Sequence, residues 1–322
     1  MSISVSTARI GMNRPTLRLN PGQGRRLRAG APWVFSNEIA MHPEYRQFPP
    51  GGVIRLEADD GARLGAFMFN PHSLIAARLL DRDPDAVIDQ VWLTKRLGDA
   101  IALRAKVTDT PYHRLVHAEA DRLPGLIVDR YDDVLVMQAN SAGMERLQAD
   151  IAAVLVELLP IRAIVARNDS AARRQENLPD AVELLHGTDA AATVVEGGVR
   201  FPVDPLTGQK TGWFFDQRPN RDRVAALAKG ARVLDVCCHV GAFGLRCAGA
   251  GAAHVTLVDS SAPALALARQ AATLNGLSER VETARGVAKF CQFFKRIATH
   301  GFHPIGQAIQ CGGLPRQFQC RG

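Results

Sequence analysis

Two runs of alternating apolar and polar residues lie near the front of the chain. In GGVIRLEADDGARLGAFMFNP (residues 51–71) the runs flank Asp60-Gly61, and an Asp-Gly pair between alternating runs is a strong hairpin signal. The stretch LRLNPGQGRRLRAGAPWVFSNEI (residues 17–39) adds a short strand, a basic loop with Gly and Pro, and the aromatic pair Trp33 and Phe35. The pattern predicts a small β-rich domain, which we place at residues 1–88.

The hydrophobic pattern changes to a helical period near residue 90. Helices are predicted in VWLTKRLGDAIALRAKV (residues 91–107) and in SAGMERLQADIAAVLVELLP (residues 141–160), where Ser141 is a candidate N-cap. Between them, GLIVDRYDDVLVMQ predicts two strands around Asp132-Asp133, and TVVEGGVRFPVD further on predicts a hairpin at Gly197-Gly198. Strands, helix and strands in this order predict an α+β middle domain, which we place at residues 89–193.

From about residue 230 strands and helices alternate. The strands are ARVLDV, AHVTLVD and the start of a third in RVETARG. The helices between them are AFGLRCAGAG and SAPALALARQAATLNG, the second with Ser261 as N-cap and Gly276 as terminator. This alternation is the opening of a doubly wound parallel sheet. The fold class is therefore α/β, and we place this third domain at residues 194–286.

Cys237, Cys238 and His239 follow the first buried strand of that sheet directly. Adjacent cysteines on extended backbone point to opposite faces, so they would not easily share one metal ion. A C-x-x-C pair that could complete a zinc site is absent from the sequence. The sequence therefore disfavours a metal site.

The loop after the first strand of such a sheet is where nucleotide-like cofactors bind. Gly241 and Gly244 would let a ligand approach the backbone, but their G-x-x-G spacing lacks the dinucleotide fingerprint G-x-G-x-x-G. Asp259 closes the second strand and is either an acceptor for ribose hydroxyls or a plain helix N-cap. A glycine loop without a phosphate-binding fingerprint favours S-adenosylmethionine (SAM) over NAD.

The net charge of +7 is distributed unevenly. Residues 1–30 contain six arginines and no acid, and residues 287–322 contain five basic residues and no acid. A basic front end indicates either contact with nucleic acid or a solvated basic face, and charge alone leaves both interpretations open.

Four stretches resemble the class I, SAM-dependent cytosine-C5 methyltransferases of large-subunit ribosomal RNA. GQKTGWFFDQRPNR (residues 208–221) is similar to the segment ahead of the methyltransferase fold, and VLDVCCHVGAFG falls at the first cofactor motif. HRLVHAEADRLPGLIVDRYDDVLVMQ resembles the middle domain, and GRRLRAGAPWVFSNEI resembles the N-terminal PUA domain, an RNA-binding module. The resemblance covers roughly residues 15–286.

The resemblance implies a set of functional residues. The implied cofactor contacts are Asp235, Cys237, Gly241, Asp259 and Ser260, with Phe215, Asp216 and Gln217 in a segment that closes over the cofactor. The implied RNA contacts are Arg25, Arg26, Arg28 and Trp33, and the implied partner is large-subunit rRNA. Cys238 is expected to pack inward.

The resemblance stops after Gly286. Where the family has an acidic residue, a fourth strand with an Asp-Pro-Pro type motif and a nucleophilic cysteine, this chain has Val287 and a tail of different composition. We assign no catalytic residue and discount Cys291, Cys311 and Cys320, which stand beside no recognisable strand end. We expect residues 287–322 to result from an altered reading frame, and the methyltransferase domain to be incomplete and inactive.

Two further interpretations remain beside an inactive methyltransferase. One is a non-catalytic RNA-binding protein that keeps a partial cofactor fold. The other, a nicotinamide-dependent oxidoreductase, is disfavoured by the missing phosphate loop. The sequence shows no secretory signal, no stretch of about 20 apolar residues and no disulfide framework, so we expect a cytoplasmic protein with no membrane contact and leave a homodimer open.

Overall fold

A computed structural model describes residues 14–206 and 212–286. These residues form two compact units. The first contains residues 14–194 together with the described part of 203–215, and the second contains residues 195–202 and 216–286.

The front of the first unit is a five-stranded sheet with the strand order β1-β3-β4-β5-β2. The predicted hairpin is present, because β3 and β4 pair antiparallel on either side of Gly61, whose φ of 83° suits glycine. One face of the sheet carries a core that includes Leu17, Ile54 and Phe67, all fully buried. The elements are β1 (Thr16–Arg18), α1 (Arg25–Arg28), β2 (Trp33–Val34), β3 (Gly52–Glu57), β4 (Arg63–Phe69) and β5 (Ala77–Asp81).

The rest of the first unit is built on a second sheet, with the order β10-β9-β8-β7-β6. Its strand pairs are antiparallel except β8 with β9, which are joined through helices and run parallel. The elements are α2 (Gln90–Val107), β6 (Tyr112–His117), β7 (Leu126–Tyr131), β8 (Val134–Ala139), α3 (Ala142–Arg146), α4 (Gln148–Leu158), β9 (Ala163–Asn168), α5 (Ala171–Arg174) and β10 (Ala181–His186).

The single helix predicted over residues 141–160 is two helices, α3 and α4, with a break at Leu147. Ser141 stands at the N-cap position but does not cap the helix with its side chain. Its hydroxyl donates instead to the Pro124 carbonyl oxygen at 2.9 Å. A tertiary hydrogen bond has therefore replaced the local one that the sequence suggested.

Glu176 joins the two sheets of the first unit. Its carboxylate is 3% exposed and accepts hydrogen bonds from side chains of the first sheet and its following loop. The donors are Asn70 Nδ2 at 2.9 Å, Ser73 Oγ at 3.0 Å, Arg78 Nη2 at 2.9 Å and the backbone N–H of Ala142 at 3.3 Å. Near Glu176, the backbone at Gly51 packs directly against that at Ala142. Only glycine fits at this position, since a Cβ at Gly51 would lie 2.3 Å from the Ala142 carbonyl oxygen.

A two-stranded hairpin precedes the α/β part of the second unit, with the predicted turn at Gly197-Gly198. The following sheet is parallel, with the order β13-β14-β15. Ser261 caps its second helix, as predicted, by accepting from the Ala264 N–H. The elements are β11 (Ala192–Glu196), β12 (Val199–Val203), α6 (Arg218–Ala226), β13 (Arg232–Val236), α7 (Ala242–Gly249), β14 (His254–Asp259), α8 (Ala262–Leu274) and β15 (Val281–Arg285).

Candidate functional site

Two carboxylates stand at the carboxyl ends of the parallel strands β13 and β14. Asp235 is opposite Leu257 in the register, and Asp259 follows two residues later at the end of β14. Parallel strands place such ends at one edge of the sheet, where open α/β folds bind their ligands. The predicted pair of site residues is therefore brought together by the topology.

Asp259 holds the loop after β13 in place. Its two oxygens accept the backbone N–H groups of His239 and Ser261, both at 2.8 Å. The alternative role of plain N-cap does not apply, because Ser261 caps α8. Each carboxylate oxygen has a second lone pair, so Asp259 retains acceptor capacity for a ligand.

The loop itself has an unusual backbone. Cys237 and His239 have φ of 59° and 52°, and Gly241 has φ of 73°. Non-glycine residues in this left-handed region cost about 1–3 kcal/mol and cluster at functional sites. Cys237 is thus not on extended backbone as the sequence analysis assumed, although Cys238 does pack inward, at 7% exposed.

Gly241 and Gly244 serve the packing of α7. A Cβ at Gly241 would lie 2.8 Å from Leu257 Cδ1, and one at Gly244 would lie 2.3 Å from Leu257 Cδ2. The two glycines therefore let α7 approach β14 closely. The packing is a second reason for glycine at these positions, and the expected approach of a ligand to their backbone stays a prediction.

Asp235 is the carboxyl group with the most altered acidity at this edge. Burial raises its pKa to about 6, the hydrogen bond from the Gly244 N–H at 2.9 Å opposes the rise, and the charge of Asp259 adds to it. Burial also raises the pKa of the Cys237 and Cys238 thiols, with the two aspartates contributing. Both thiols are therefore held in the neutral form, and neither is an activated nucleophile.

The segment before α6 contains three predicted cofactor residues. Phe215 belongs to the first unit, where its ring packs against Tyr131 with centroids 5.4 Å apart. Asp216 and Gln217 belong to the second unit and are joined by a hydrogen bond from Gln217 Nε2 at 3.0 Å. Residues 207–211 of the same signature lie outside the described residues.

Ser260 is exposed directly after β14. Its carbonyl oxygen accepts from Arg285 Nε at 3.3 Å, which ties the end of β15 to the end of β14.

A buried ion-pair network supports the helices around this edge. Glu196 and Arg221 are 3% exposed or less and form a two-pronged pair at 2.5 and 2.8 Å. Arg221 also lies over the Phe243 ring in the first turn of α7, with Cζ 5.8 Å from the centroid. The turn of the β11–β12 hairpin is thereby fixed to both α6 and α7.

Arg246 of α7 extends the network. It donates to the Gly197 carbonyl oxygen at 2.6 Å and pairs with Asp222 at 2.5 Å. These residues were not predicted from the sequence. One signal was available, since Arg246 is the single charge in the otherwise apolar stretch AFGLRCAGAG, and such an arginine in a buried helix needs a partner.

The predicted RNA contacts lie on the first unit. Arg25, Arg26 and Arg28 are all exposed on the short helix α1, while Leu27 between them is buried. Trp33 is half-buried and donates its indole N–H to Glu119 Oε1 at 2.8 Å. The arginines therefore present an open basic surface, whereas Trp33 already has a protein partner.

Among residues 14–206 and 212–286, no helix combines the length and apolar character needed to cross a membrane. In the same ranges, no group of three or more His, Cys, Asp or Glu side chains could hold a metal ion.

Comparisons with known proteins agree with this architecture. The family model of PUA-like domains matches residues 17–82, and that of S-adenosylmethionine-dependent methyltransferases matches residues 120–295. Ribosomal RNA large subunit methyltransferase I of Shewanella frigidimarina is 38% identical over 269 residues, covering 82% of this chain and 67% of the relative. The protein of that name from Alteromonas mediterranea is 31% identical and covers 94% of this chain and 84% of its own length.

Solved structures share the fold. A provisionally assigned SAM-dependent methyltransferase from Streptococcus mutans aligns with a TM-score of 0.72 at 20% identity, covering 89% of this chain and 74% of that one. A second methyltransferase structure, solved in complex with SAH (S-adenosylhomocysteine), also aligns with a TM-score of 0.72, at 19% identity over 90% of this chain and 73% of that one. The α/β class, with a PUA-like domain before a Rossmann-like domain, is confirmed.

Proposed function

This chain belongs to the S-adenosylmethionine-dependent methyltransferase family, and we propose that it is a methyltransferase-like protein that binds large-subunit ribosomal RNA but does not itself complete the cytosine-C5 methylation of its relatives. SAM is the cofactor of the family. The rRNA substrate is proposed from the names of the relatives, which are ribosomal RNA methyltransferases, and from the PUA-like domain.

The single observation that carries the cofactor proposal is the pair Asp235 and Asp259 at one edge of a parallel sheet. SAM is cationic and carries a ribose with two hydroxyls. Asp259 supplies acceptors for the hydroxyls, and Asp235 supplies a half-buried carboxylate that a positive charge would stabilise in its ionised form. We propose Cys237, Gly241 and Ser260, with Phe215, Asp216 and Gln217, as the remaining contacts.

Cytosine C5 is a weak nucleophile, so the proposed reaction needs covalent assistance. A cysteine thiolate adds to C6 and makes C5 electron-rich enough to attack the methyl group that SAM supplies. The target base must be unstacked to reach this chemistry, which suits single-stranded or flipped RNA. None of the described cysteines fits the nucleophile. Cys238 and Cys247 are buried, and burial raises the pKa of Cys247 to about 11. Cys237 is exposed, but its pKa is also raised, by partial burial and by the nearby Asp259 and Asp235.

The expectation that this chain is inactive stays a prediction, as do its cytoplasmic location and a homodimer. Cys291, Cys311 and Cys320 lie outside the described residues. The alternative function is a non-catalytic RNA-binding protein with a partial cofactor fold.

Two assays on the full chain test the proposal. Calorimetry with SAH tests the cofactor site, and transfer of a labelled methyl group from SAM to unmodified large-subunit rRNA tests the reaction, with the product located by nuclease digestion. SAH binding without transfer is the expected result. No SAH binding would contradict the cofactor assignment, and transfer to a position other than cytosine C5 would contradict the proposed reaction.

The affinity for SAM is expected to rise with pH between 5 and 7. Asp235 has a pKa of about 6, and its proton competes with the positive charge of the ligand. The ionised fraction grows about tenfold over this interval, so the dissociation constant should fall by up to about tenfold. The folding stability of the unliganded protein changes with pH in the opposite direction to the affinity. The raised pKa of Asp235 stabilises the folded state below about pH 4, and that stabilisation is lost as the pH rises past 6.

Calorimetry at pH 5, 6 and 7 measures this dependence. Asp235→Asn provides the control, since it cannot titrate and should give a flat profile. A wild-type affinity that is the same at pH 5 and pH 7 would contradict the proposed contact with Asp235.

Replacing Arg25, Arg26 and Arg28 together by alanine is expected to weaken rRNA binding and flatten its salt dependence. The slope of log K against log salt should fall by about 0.7–0.9 for each lost phosphate contact. Fluorescence anisotropy between 50 and 300 mM KCl measures both quantities. Arg162→Ala is the matched control, because its exposed guanidinium already pairs with Asp133 and Asp189; an unchanged slope in the triple variant would contradict the assignment.

A further inference from the structure

Phe35 lies beside the basic helix α1 and is only half-buried. The guanidinium of Arg26 covers its ring, with Cζ 4.7 Å from the centroid. Arg26 itself is exposed. A half-buried aromatic ring, covered on one face by a solvent-exposed arginine, therefore lies beside the basic helix α1.

The backbone that carries the ring is fixed. The Phe35 N–H donates to Glu38 Oε2 at 2.8 Å, and its carbonyl oxygen accepts from the Glu38 N–H at 2.9 Å. The next residue, Ser36, donates its N–H to the Leu74 carbonyl oxygen at 2.9 Å. A ring held in this way loses little further freedom when a flat ligand covers it.

A ligand can displace the Arg26 guanidinium from the Phe35 ring. A cation over an aromatic ring at an exposed site is a weak interaction. A nucleobase offers the ring a larger π-face, and the planar guanidinium can then stack on the outer face of that base or pair with a phosphate. The basic helix beside the ring supplies the charges that would follow the RNA backbone.

Trp33, the other aromatic residue of this segment, is in a different situation. Its indole N–H is engaged by Glu119, and the Arg78 guanidinium lies over its ring with Cζ 5.8 Å from the centroid. Arg78 is in turn held by Glu119 and Glu176. Covering the face of Trp33 with a base would require moving an arginine that two carboxylates retain.

We propose that Phe35 is a stacking site for an unpaired RNA base, which enters between its ring and Arg26. The inference rests on the proposed RNA-binding function of the N-terminal domain and adds to it a preference for single-stranded RNA. Basic grooves with aromatic platforms are how proteins hold unpaired nucleotides without reading their sequence. Bases inside a duplex are already stacked and would not use the site.

The test compares a labelled 12-nucleotide single strand with a duplex of the same sequence, using anisotropy and the full chain. Phe35→Leu keeps apolar bulk but removes the π-face, and should weaken single-strand binding by roughly 5- to 150-fold. Its salt slope should equal that of the wild type, because no charge is lost. Phe35→Trp should restore the affinity, whereas Arg26→Ala should lower the slope by about 0.7.

Leu74→Ala is the matched control, because Leu74 is a 71% exposed apolar side chain whose backbone bonds to the same segment. It should leave both affinities unchanged. Equal single-strand affinity for wild type and Phe35→Leu would overturn the proposal, and so would an equal loss on the duplex. A wild-type chain that binds neither RNA would contradict the proposed RNA-binding function itself.

Discussion

Replacing Glu196 by alanine is expected to destabilise the second unit by about 3–5 kcal/mol. The substitution leaves Arg221 as a buried cation without its two-pronged partner, and removes the acceptor that also draws Arg218 towards the hairpin at 3.5 Å. An uncompensated buried charge is far more costly than the net value of the pair it came from.

Alkylation of the Cys247 thiol under native conditions measures this loss. Cys247 is fully buried in α7, so it reacts only when the second unit opens. All three tryptophans, Trp33, Trp92 and Trp213, belong to the first unit, and their fluorescence would miss the effect. The variant should be alkylated roughly 10²- to 10³-fold faster than the wild type.

Glu282→Ala is the control for that experiment. Its side chain is 60% exposed and its partner His254 is 3.3 Å away on the surface, so the loss should stay below about 1 kcal/mol. Equal alkylation rates for the Glu196 variant and the wild type would show that the buried pair contributes nothing to this unit.

Replacing Asp259 by alanine is expected to weaken SAH binding by roughly 10- to 150-fold, which corresponds to about 1.5–3 kcal/mol. Two effects act together. The ribose loses a charged acceptor, and the His239 and Ser261 N–H groups lose the oxygens that fix the loop and the start of α8.

Calorimetry on Asp259→Ala, Asp259→Asn and Glu279→Ala separates these effects. The asparagine keeps one oxygen for the loop but has no charge, so its affinity should lie between those of the alanine variant and the wild type. Glu279 is an exposed acid on the same unit and its replacement should change nothing. An alanine variant that binds SAH as tightly as the wild type would remove Asp259 from the site.

The elements that could be predicted depend on local chemistry. Ser261 caps α8 because a serine before Pro263 at the first turn is a helix start in almost any surroundings. The place of Asp259 at the carboxyl edge of the sheet also followed from the sequence, because alternating strands and helices dictate a parallel sheet. In both cases the pattern alone determined the placement.

The features that could not be predicted depend on partners distant in the chain. Trp33 meets Glu119, 86 positions away, and that contact gives it a protein partner on the surface where the resemblance implied RNA. Glu196 and Arg221 pair across 25 positions, through the packing of a hairpin on a helix. The packing role of Gly241 and Gly244 was likewise not predicted, since the side chain that they make room for, Leu257, comes from the neighbouring strand.

The contacts of Glu176 bear on how the chain could be shortened or recombined. Truncating the chain after residue 88, where the sequence pattern changes, would remove Glu176, the common acceptor of Asn70, Ser73 and Arg78. It would also expose to solvent the surface around Gly51 that packs against Ala142. A shortened chain that keeps these partners together must therefore contain both sheets of the first unit. A fusion protein or a gene rearrangement that carries the PUA-like domain alone would inherit a damaged surface, whereas one that carries both sheets would keep the contacts of Glu176 intact.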